Sequence, residues 1–182
     1  AHSLVRRMAT TPLADRYVRA AEWMDGAGRG RGPSGAELIG SRLAIAARAE
    51  WDPDVARRAA ALLALAAEGT AALGDDDASL QLLRSATSLL VYDDPTRTDL
   101  LLEAGLRIAQ RGDTFAAERV LAEAAFAARE GDDPRGEARA NVLRAATRAS
   151  GGASEEALQV LRDAADAAIA LGEPSNDETG LA

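Results

Sequence analysis

The chain has 182 residues; 47% of them are apolar, only 3% are aromatic, and the formal net charge is −8. Because Ala and Leu dominate the apolar share while β-branched and aromatic residues are sparse, the composition predicts an all-α protein. All 21 basic residues are Arg, Cys is absent and His2 is the single His, which excludes a P-loop lysine, Schiff-base and thiol chemistry, histidine catalysis and Cys/His zinc sites.

Acidic residues followed by proline divide the chain at regular intervals of 42, 39 and 40 residues. These marks are Asp52-Pro53, Asp94-Pro95, Asp133-Pro134 and Glu173-Pro174. Between them stand Gly74-Asp75, Gly112-Asp113 and Gly151-Gly152. An Asp can cap a helix that begins at the following Pro, and a Gly favours a tight turn. Each interval therefore predicts helix, turn, helix and break, the pattern of an α-solenoid with about four antiparallel helix pairs.

The first pair is irregular. It consists of a helix over residues 13–25, a flexible glycine-rich break over 26–35 and a helix over 36–50. Trp23 and Trp51 are expected to pack near this pair, although Trp is also a common interface anchor. The residues of the second helix available for packing are Leu38, Leu43, Ile45 and Ala46.

The next three pairs share one frame. They are predicted over residues 53–74 with 78–91, 96–111 with 114–129, and 134–149 with 153–171. In the third pair the frame is Leu101, Ala104, Gly105, Ile108, Gly112-Asp113, Ala117, Leu121 and Ala124. Gly105 and Ala117 are small where the two helices would touch, and the larger residues would fill the surrounding space.

The other pairs repeat this frame. It recurs 38 residues earlier as Leu63, Ala66, Ala67, Thr70, Gly74-Asp75, Ser79, Leu83 and Ala86. The fourth pair keeps the second-helix part as Ala157, Leu161 and Ala164. The frame resembles the tetratricopeptide repeat over about residues 53–171, with a period near 40 instead of 34 and without the signature Trp and Tyr. This resemblance implies a right-handed superhelix.

A second resemblance concerns residues 90–171. Asp93-Asp94-Pro95, residues 100–105, Gly112-Asp113 and residues 117–125 are similar to repeat regions of large multidomain bacterial regulators. In that family such repeats accompany an ATPase module and a nucleotide-cyclase or DNA-binding output domain. The resemblance implies a regulatory role in the cytoplasm.

The predicted organisation is a single helical-repeat domain over residues 1–182. It comprises the irregular first pair (1–51), three tetratricopeptide-like pairs (52–171) and a tail or truncated repeat (172–182). Because the chain begins without Met and a new step has started at Pro174, we expect the natural protein to continue. An uncapped repeat end would also permit a homo-oligomer.

Charge is uneven along the chain. Residues 1–60 carry ten Arg against seven acidic residues, whereas residues 61–182 carry eleven Arg against twenty-two. Such an acidic segment argues against nucleic-acid binding, because phosphate contacts need clustered cations. No signal peptide or long apolar run is present, so no membrane contact is expected. The lack of Cys fits the cytoplasm.

A partner of this solenoid would contact inward residues of the first helices. On the register above these are Glu68, Leu102, Leu106, Gln110, Arg144 and Arg148. Arg144 and Arg148 lie four residues apart and either receive an acidic partner or pair with local acids such as Glu137. Leu102 and Leu106 are either groove or core residues.

These features predict a non-catalytic module for protein interaction or intramolecular regulation within a larger signalling or transcription-regulatory protein. Its partner would be a protein or peptide segment, or another domain of the same chain, and no enzyme activity, cofactor or metal is expected. The alternative is an effector-sensing module that binds a small molecule in the concavity. That alternative needs a closed pocket of several hundred Å³.

Overall fold

Helices form every regular element in the part of the chain that the computed structural model describes, which is residues 14–24, 26–27, 32–150 and 155–172. The all-α prediction is therefore confirmed. The chain divides into two units, Ala1–Val91 and Tyr92–Ala182. The helices are α1 (residues 14–24), α2 (Pro33–Glu50), α3 (Pro53–Ala72), α4 (Asp76–Thr87), α5 (Pro95–Gln110), α6 (Thr114–Glu130), α7 (Pro134–Ser150) and α8 (Glu155–Gly172).

Aspartates cap the helices that start at the predicted breaks. The Asp52 carboxylate accepts hydrogen bonds from the Asp54 and Val55 N–H groups at 2.9 and 3.2 Å. Asp94 and Asp133 cap α5 and α7 in the same way. Each helix then begins with proline, whose missing N–H has no partner to lose at that position. The predicted starts of α3, α5 and α7 are confirmed.

The glycine turns within the pairs also follow the sequence. Gly74 and Gly112 have φ angles of 82° and 84°, a left-handed conformation that glycine adopts without steric cost. The aspartates that follow them, Asp75 and Asp113, cap α4 and α6 through hydrogen bonds of 3.0 Å. The predicted turn at Gly151 lies outside the described residues.

Two predicted boundaries are wrong. The helix expected from residue 36 begins at Pro33, because proline fits the first helical position and so belongs to the helix rather than to the break. The helix expected to reach residue 91 ends at Thr87. Beyond it the Leu89 and Leu90 N–H groups bond back to Ala86 and Thr87 in tight turns, and both leucines are buried.

In the first unit, α2 packs against α3 and α3 packs against α4. Gly40 of α2 faces Leu63 of α3, while Pro33 at the start of α2 lies at Gly69 near the end of α3, so these two helices are antiparallel. Arg48 Nη2, near the end of α2, donates to Ser88 Oγ just after α4 at 3.0 Å. The ends of α2 and α4 therefore lie side by side. The largest fully buried apolar side chains of this unit are Ile39, Leu43, Leu63 and Leu83.

In the second unit, consecutive helices pack in the order α5, α6, α7 and α8, and α5 also touches α7. Gly105 faces Leu121 across the α5–α6 contact, as the frame predicts. Arg139 Nη1 of α7 lies 3.1 Å from Asp99 Oδ1 of α5. The core cluster consists of Leu101, Leu102, Leu121, Ala124, Ala125, Ala127 and Ala140, with Val120 and Leu143 packed against it.

Within each unit, helices thus pack on their neighbours along the chain, which agrees with a helical repeat. The single domain over residues 1–182 stays a prediction.

Candidate functional site

Three exposed residues of α5 follow one side of the helix. Asp99, Leu106 and Gln110 share a helical face because their spacings, seven and four residues, correspond to whole turns. All three are exposed, and Leu106 retains 39% of its accessible surface. Leu106 and Gln110 of this stripe are two of the residues at which the sequence predicted a partner to bind.

The stripe continues onto α7. The Asp99–Arg139 ion pair joins the two helices near their N-terminal ends. Because α5 and α7 are both antiparallel to α6, they run in the same direction, and Ala146 follows Arg139 by seven residues, as Leu106 follows Asp99. We define the α5–α7 face as Asp99, Leu106 and Gln110 of α5 with Arg139 and Ala146 of α7.

Charges on and beside this face are partnered. Asp99 is paired with Arg139, and Glu103 Oε1 lies 2.6 Å from Arg107 Nη2 one turn along α5. Leu106 therefore stands as an apolar side chain among neutralised pairs. Such a surface suits a segment that contributes an apolar side chain and backbone hydrogen bonds more than a highly charged ligand.

Leu102 does not contribute to this surface. Its exposed fraction is 3%, and it belongs to the core cluster of the second unit. For Leu102 the core interpretation holds, whereas Leu106, four residues later, is the exposed one.

Arg144 and Arg148 lie on a different side of α7 from Arg139. They share a stripe with Glu137, which pairs with Arg129 of α6 at 3.2 Å. Arg148 pairs with Glu118, also on α6. The stripe therefore faces α6, and the structure does not bring these arginines to the α5–α7 face. Local pairing is confirmed for Arg148, with Glu118 instead of Glu137.

Arg144 has weaker partners. Its Nη1 donates to Asn141 Oδ1 at 3.5 Å, and its Nε is buried with no hydrogen-bond acceptor among the residues that the structure describes. The acidic partner expected at Arg144 and Arg148 stays a prediction. Glu68 is an exposed residue of α3 in the first unit, so it belongs to a different unit from the other five predicted residues.

An aromatic cluster at the start of the second unit was missed from the sequence. The Arg97 guanidinium lies 4.3 Å from the centre of the Tyr92 ring, and its Nη2 is 2.7 Å from Glu123 Oε1. Tyr92 also packs edge-on against Phe126, with ring centres 5.5 Å apart. Arg97 is buried and occupied by these contacts, so the cluster joins α5 to α6. The only sequence signal was that two of the few aromatic residues occur here.

The tryptophans were expected to pack, and this expectation is wrong. Trp23 and Trp51 expose 61% and 67% of their surface. Near them, a cleft of about 320 Å³ lies between α1, the end of α2 and the start of α3. Its acidic lining residues are Asp15, Glu22, Glu50 and Asp52.

Among the described residues, no group of three or more His, Cys, Asp or Glu side chains is arranged to hold a metal ion. None of the described helices combines the length and apolar character needed to cross a membrane.

Comparison of the chain with models of known families, with curated proteins and with solved structures finds no match.

Proposed function

We propose that the chain is a non-catalytic interaction or intramolecular regulatory module, built as a tetratricopeptide-like right-handed solenoid, and that a protein segment binds its α5–α7 face. The observation that carries this proposal is the Asp99–Arg139 contact. It joins residues 40 positions apart in neighbouring parallel helices, and this separation is within one residue of the 39-residue step between the prolines that begin them.

A second contact supports the same stacking. In the first unit Arg48 reaches Ser88, again 40 residues away. Contacts between successive repeats at a nearly constant separation in the chain are typical of solenoids, which offer extended surfaces for partners. The handedness, the cytoplasmic setting and the attachment to an output domain come from the resemblances described above and belong to the proposal.

Leu106 is the anchor of the proposed site. It is exposed, and Ala146 at the corresponding place of α7 is small and half-buried, so an apolar side chain of a partner can cover both. Gln110 supplies a hydrogen-bonding amide one turn away. This combination suits either an amphipathic helix or an extended segment, belonging to another protein or to another domain of the same chain.

The test begins with peptides selected from a random phage-displayed library on the full chain. Their dissociation constants are then measured by fluorescence polarisation. Leu106→Glu should weaken the selected peptides by about 10-fold or more, because it places a charge at the apolar anchor. Phe115→Glu is the matched control, since Phe115 is 82% exposed on α6 and is not a residue of this face.

The proposal fails if the library yields no binder, or if the binders respond to Phe115→Glu and not to Leu106→Glu. A further variant, Arg144→Glu with Arg148→Glu, tests the other stripe of α7. Peptides that lose affinity only in that variant would locate binding beside α6 and contradict the α5–α7 face. Circular dichroism of each variant checks that the fold is kept.

The effector-binding alternative stays a prediction that no observation favours. The cleft of the first unit borders α1 to α3 and contains none of the predicted inward residues. We therefore propose one function.

A further inference from the structure

α8 repeats the apolar pattern of α6 but is covered less. In α6 the residues Ala117, Leu121, Ala124, Ala125 and Ala128 are 0–2% exposed. Their counterparts 40 residues later are Ala157, Leu161, Ala164, Ala165 and Ala168, and all of these are half-buried. The difference arises because α6 lies between α5 and α7, whereas α8 packs on α7. Apolar surface of α8 is therefore open in the described part of the chain.

The edge of α8 differs chemically from the edge of α6. In α6, Glu118 and Arg129 form ion pairs with α7. The equivalent residues of α8 are Leu158 and Ile169, which are 38% and 62% exposed. At these two positions α6 has charged residues that pair with α7, whereas α8 has large apolar side chains that are exposed to solvent.

Leu158 and Ile169 lie at the two ends of a stripe of side chains that could pair with the same stripe of a second copy. Leu158, Arg162, Asp166 and Ile169 follow one side of α8 at spacings of four, four and three residues, and all are exposed. We call them the α8 stripe. Within the described residues neither Arg162 nor Asp166 forms an ion pair.

Reversal of the stripe brings opposite groups together. The midpoint between Leu158 and Ile169 nearly coincides with the midpoint between Arg162 and Asp166 and with the middle of α8. When a second α8 lies antiparallel about this point, Leu158 meets the other copy's Ile169. Arg162 likewise meets the other copy's Asp166, and the twofold axis repeats both contacts.

We propose that a second copy of this chain docks on the α8 stripe to form an antiparallel, twofold-symmetric dimer. The second unit contains the same kind of packing, since α7 lies antiparallel on α6 with opposite charges across the contact. An 18-residue helix is about 27 Å long, so the interface is small and the dimer weak. The α8 stripe shares no residue with the α5–α7 face, and the inference does not depend on the proposed function.

Sedimentation velocity of the full chain tests the proposal between about 10 μM and about 1 mM, the range expected of a small interface. We expect a monomer–dimer equilibrium. Arg162→Asp alone and Asp166→Arg alone each place like charges opposite each other twice, so each should weaken dimerisation by about 10-fold or more. An equimolar mixture of these two variants should associate again, because the acidic stripe of one then faces the basic stripe of the other.

Two more variants complete the experiment. Leu158→Glu with Ile169→Glu should abolish the dimer, while Phe115→Glu, at an exposed site on α6, should leave it unchanged. A chain that is monomeric at all these concentrations overturns the proposal. So does a dimer that resists Arg162→Asp, or a mixture of the two charge variants that fails to associate. Circular dichroism confirms that each variant keeps its helices.

Discussion

The second and third helix pairs, α3–α4 and α5–α6, use one frame with different residues at the point of contact. Ala67 and Ser79 occupy the two small positions in the second pair, and Gly105 and Ala117 occupy them in the third. A Cβ atom added to Gly105 would lie 2.6 Å from Leu121 Cγ, whereas Ala67 carries its Cβ while fully buried. The two helices of the third pair therefore approach each other more closely at this point. In both pairs the large residues set the register, and the small residues set how closely the helices approach.

The shared frame predicts the largest effect. Leu83 and Leu121 are the equivalent large residues, with exposed fractions of 2% and 0%. Replacement of either by Ala should lower the free energy of unfolding by about 2–5 kcal/mol, because a cavity remains. Urea denaturation followed by circular dichroism measures this loss, and hydrogen exchange assigns it to a unit. Leu65→Ala, at a half-exposed leucine of α3, should cost no more than about 0.5 kcal/mol. A large loss at one leucine only would show that the two pairs do not share a frame.

The close approach of α5 and α6 at Gly105 predicts the next largest effect on the free energy of unfolding. Gly105→Ala should destabilise the protein by about 1–3 kcal/mol, because the new methyl overlaps Leu121. In the second pair the opposite change, Ala67→Gly, should cost about 1 kcal/mol, since glycine disfavours the helix.

A double-mutant cycle sharpens this contrast. With Leu121→Ala in place, Gly105→Ala should cost little or become favourable, because the methyl enters the cavity. Equal costs of Gly105→Ala in both backgrounds would mean that Gly105 and Leu121 are not the contact that limits approach.

The second pair also differs from the third by a buried hydroxyl group. Ser79 is fully buried and its Oγ has no hydrogen-bond partner among the described residues, whereas the equivalent residue of the third pair is Ala117. Ser79→Ala should therefore raise the free energy of unfolding by about 1 kcal/mol. Ser41→Ala, at an exposed position of α2, controls for helix propensity and should gain about 0.5 kcal/mol or less. A loss of stability in Ser79→Ala would show that the hydroxyl has a partner in solution.

Helix starts were predictable from the sequence because they depend on local chemistry. Asp-Pro and Gly-Asp fix a cap and a turn within a few residues of themselves, and the structure has helices where they occur. The face that a helix buries was harder to predict. In α2 the large residues Leu38 and Ile45 are exposed, while Ala36 and Gly40 lie in the contact with other helices. The buried face of α2 contains these small residues together with Ile39 and Leu43, so large residues alone did not identify it.

In the candidate site, too, the buried face of each helix was harder to predict than its start. Leu106 and Gln110 are exposed, but Leu102 is in the core, and Arg144 and Arg148 face α6. A sequence predicts a helix more readily than its rotation about its own axis, which the neighbouring helices decide. One signal was available, since Asp99 and Arg139 carry opposite charges one repeat period apart. That pair identifies the sides of α5 and α7 that adjoin each other.

The smallest expected effect concerns the two contacts that mark the 40-residue period, one in each unit. Asp99 and Arg139 are 67% and 64% exposed in their side chains, and the Arg48–Ser88 hydrogen bond is also exposed. Arg139→Ala and Arg48→Ala should each lower the free energy of unfolding by about 0.5 kcal/mol or less, because solvent screens exposed polar contacts. For Arg139→Ala the loss should shrink further in 1 M salt, where the Debye length is about 3 Å. Hydrogen exchange in α5 and α7 should stay as in the unaltered chain. A loss of about 2 kcal/mol in one unit and none in the other would mean that a polar contact, and not the Leu and Ala packing common to both pairs, holds the repeats of that unit together.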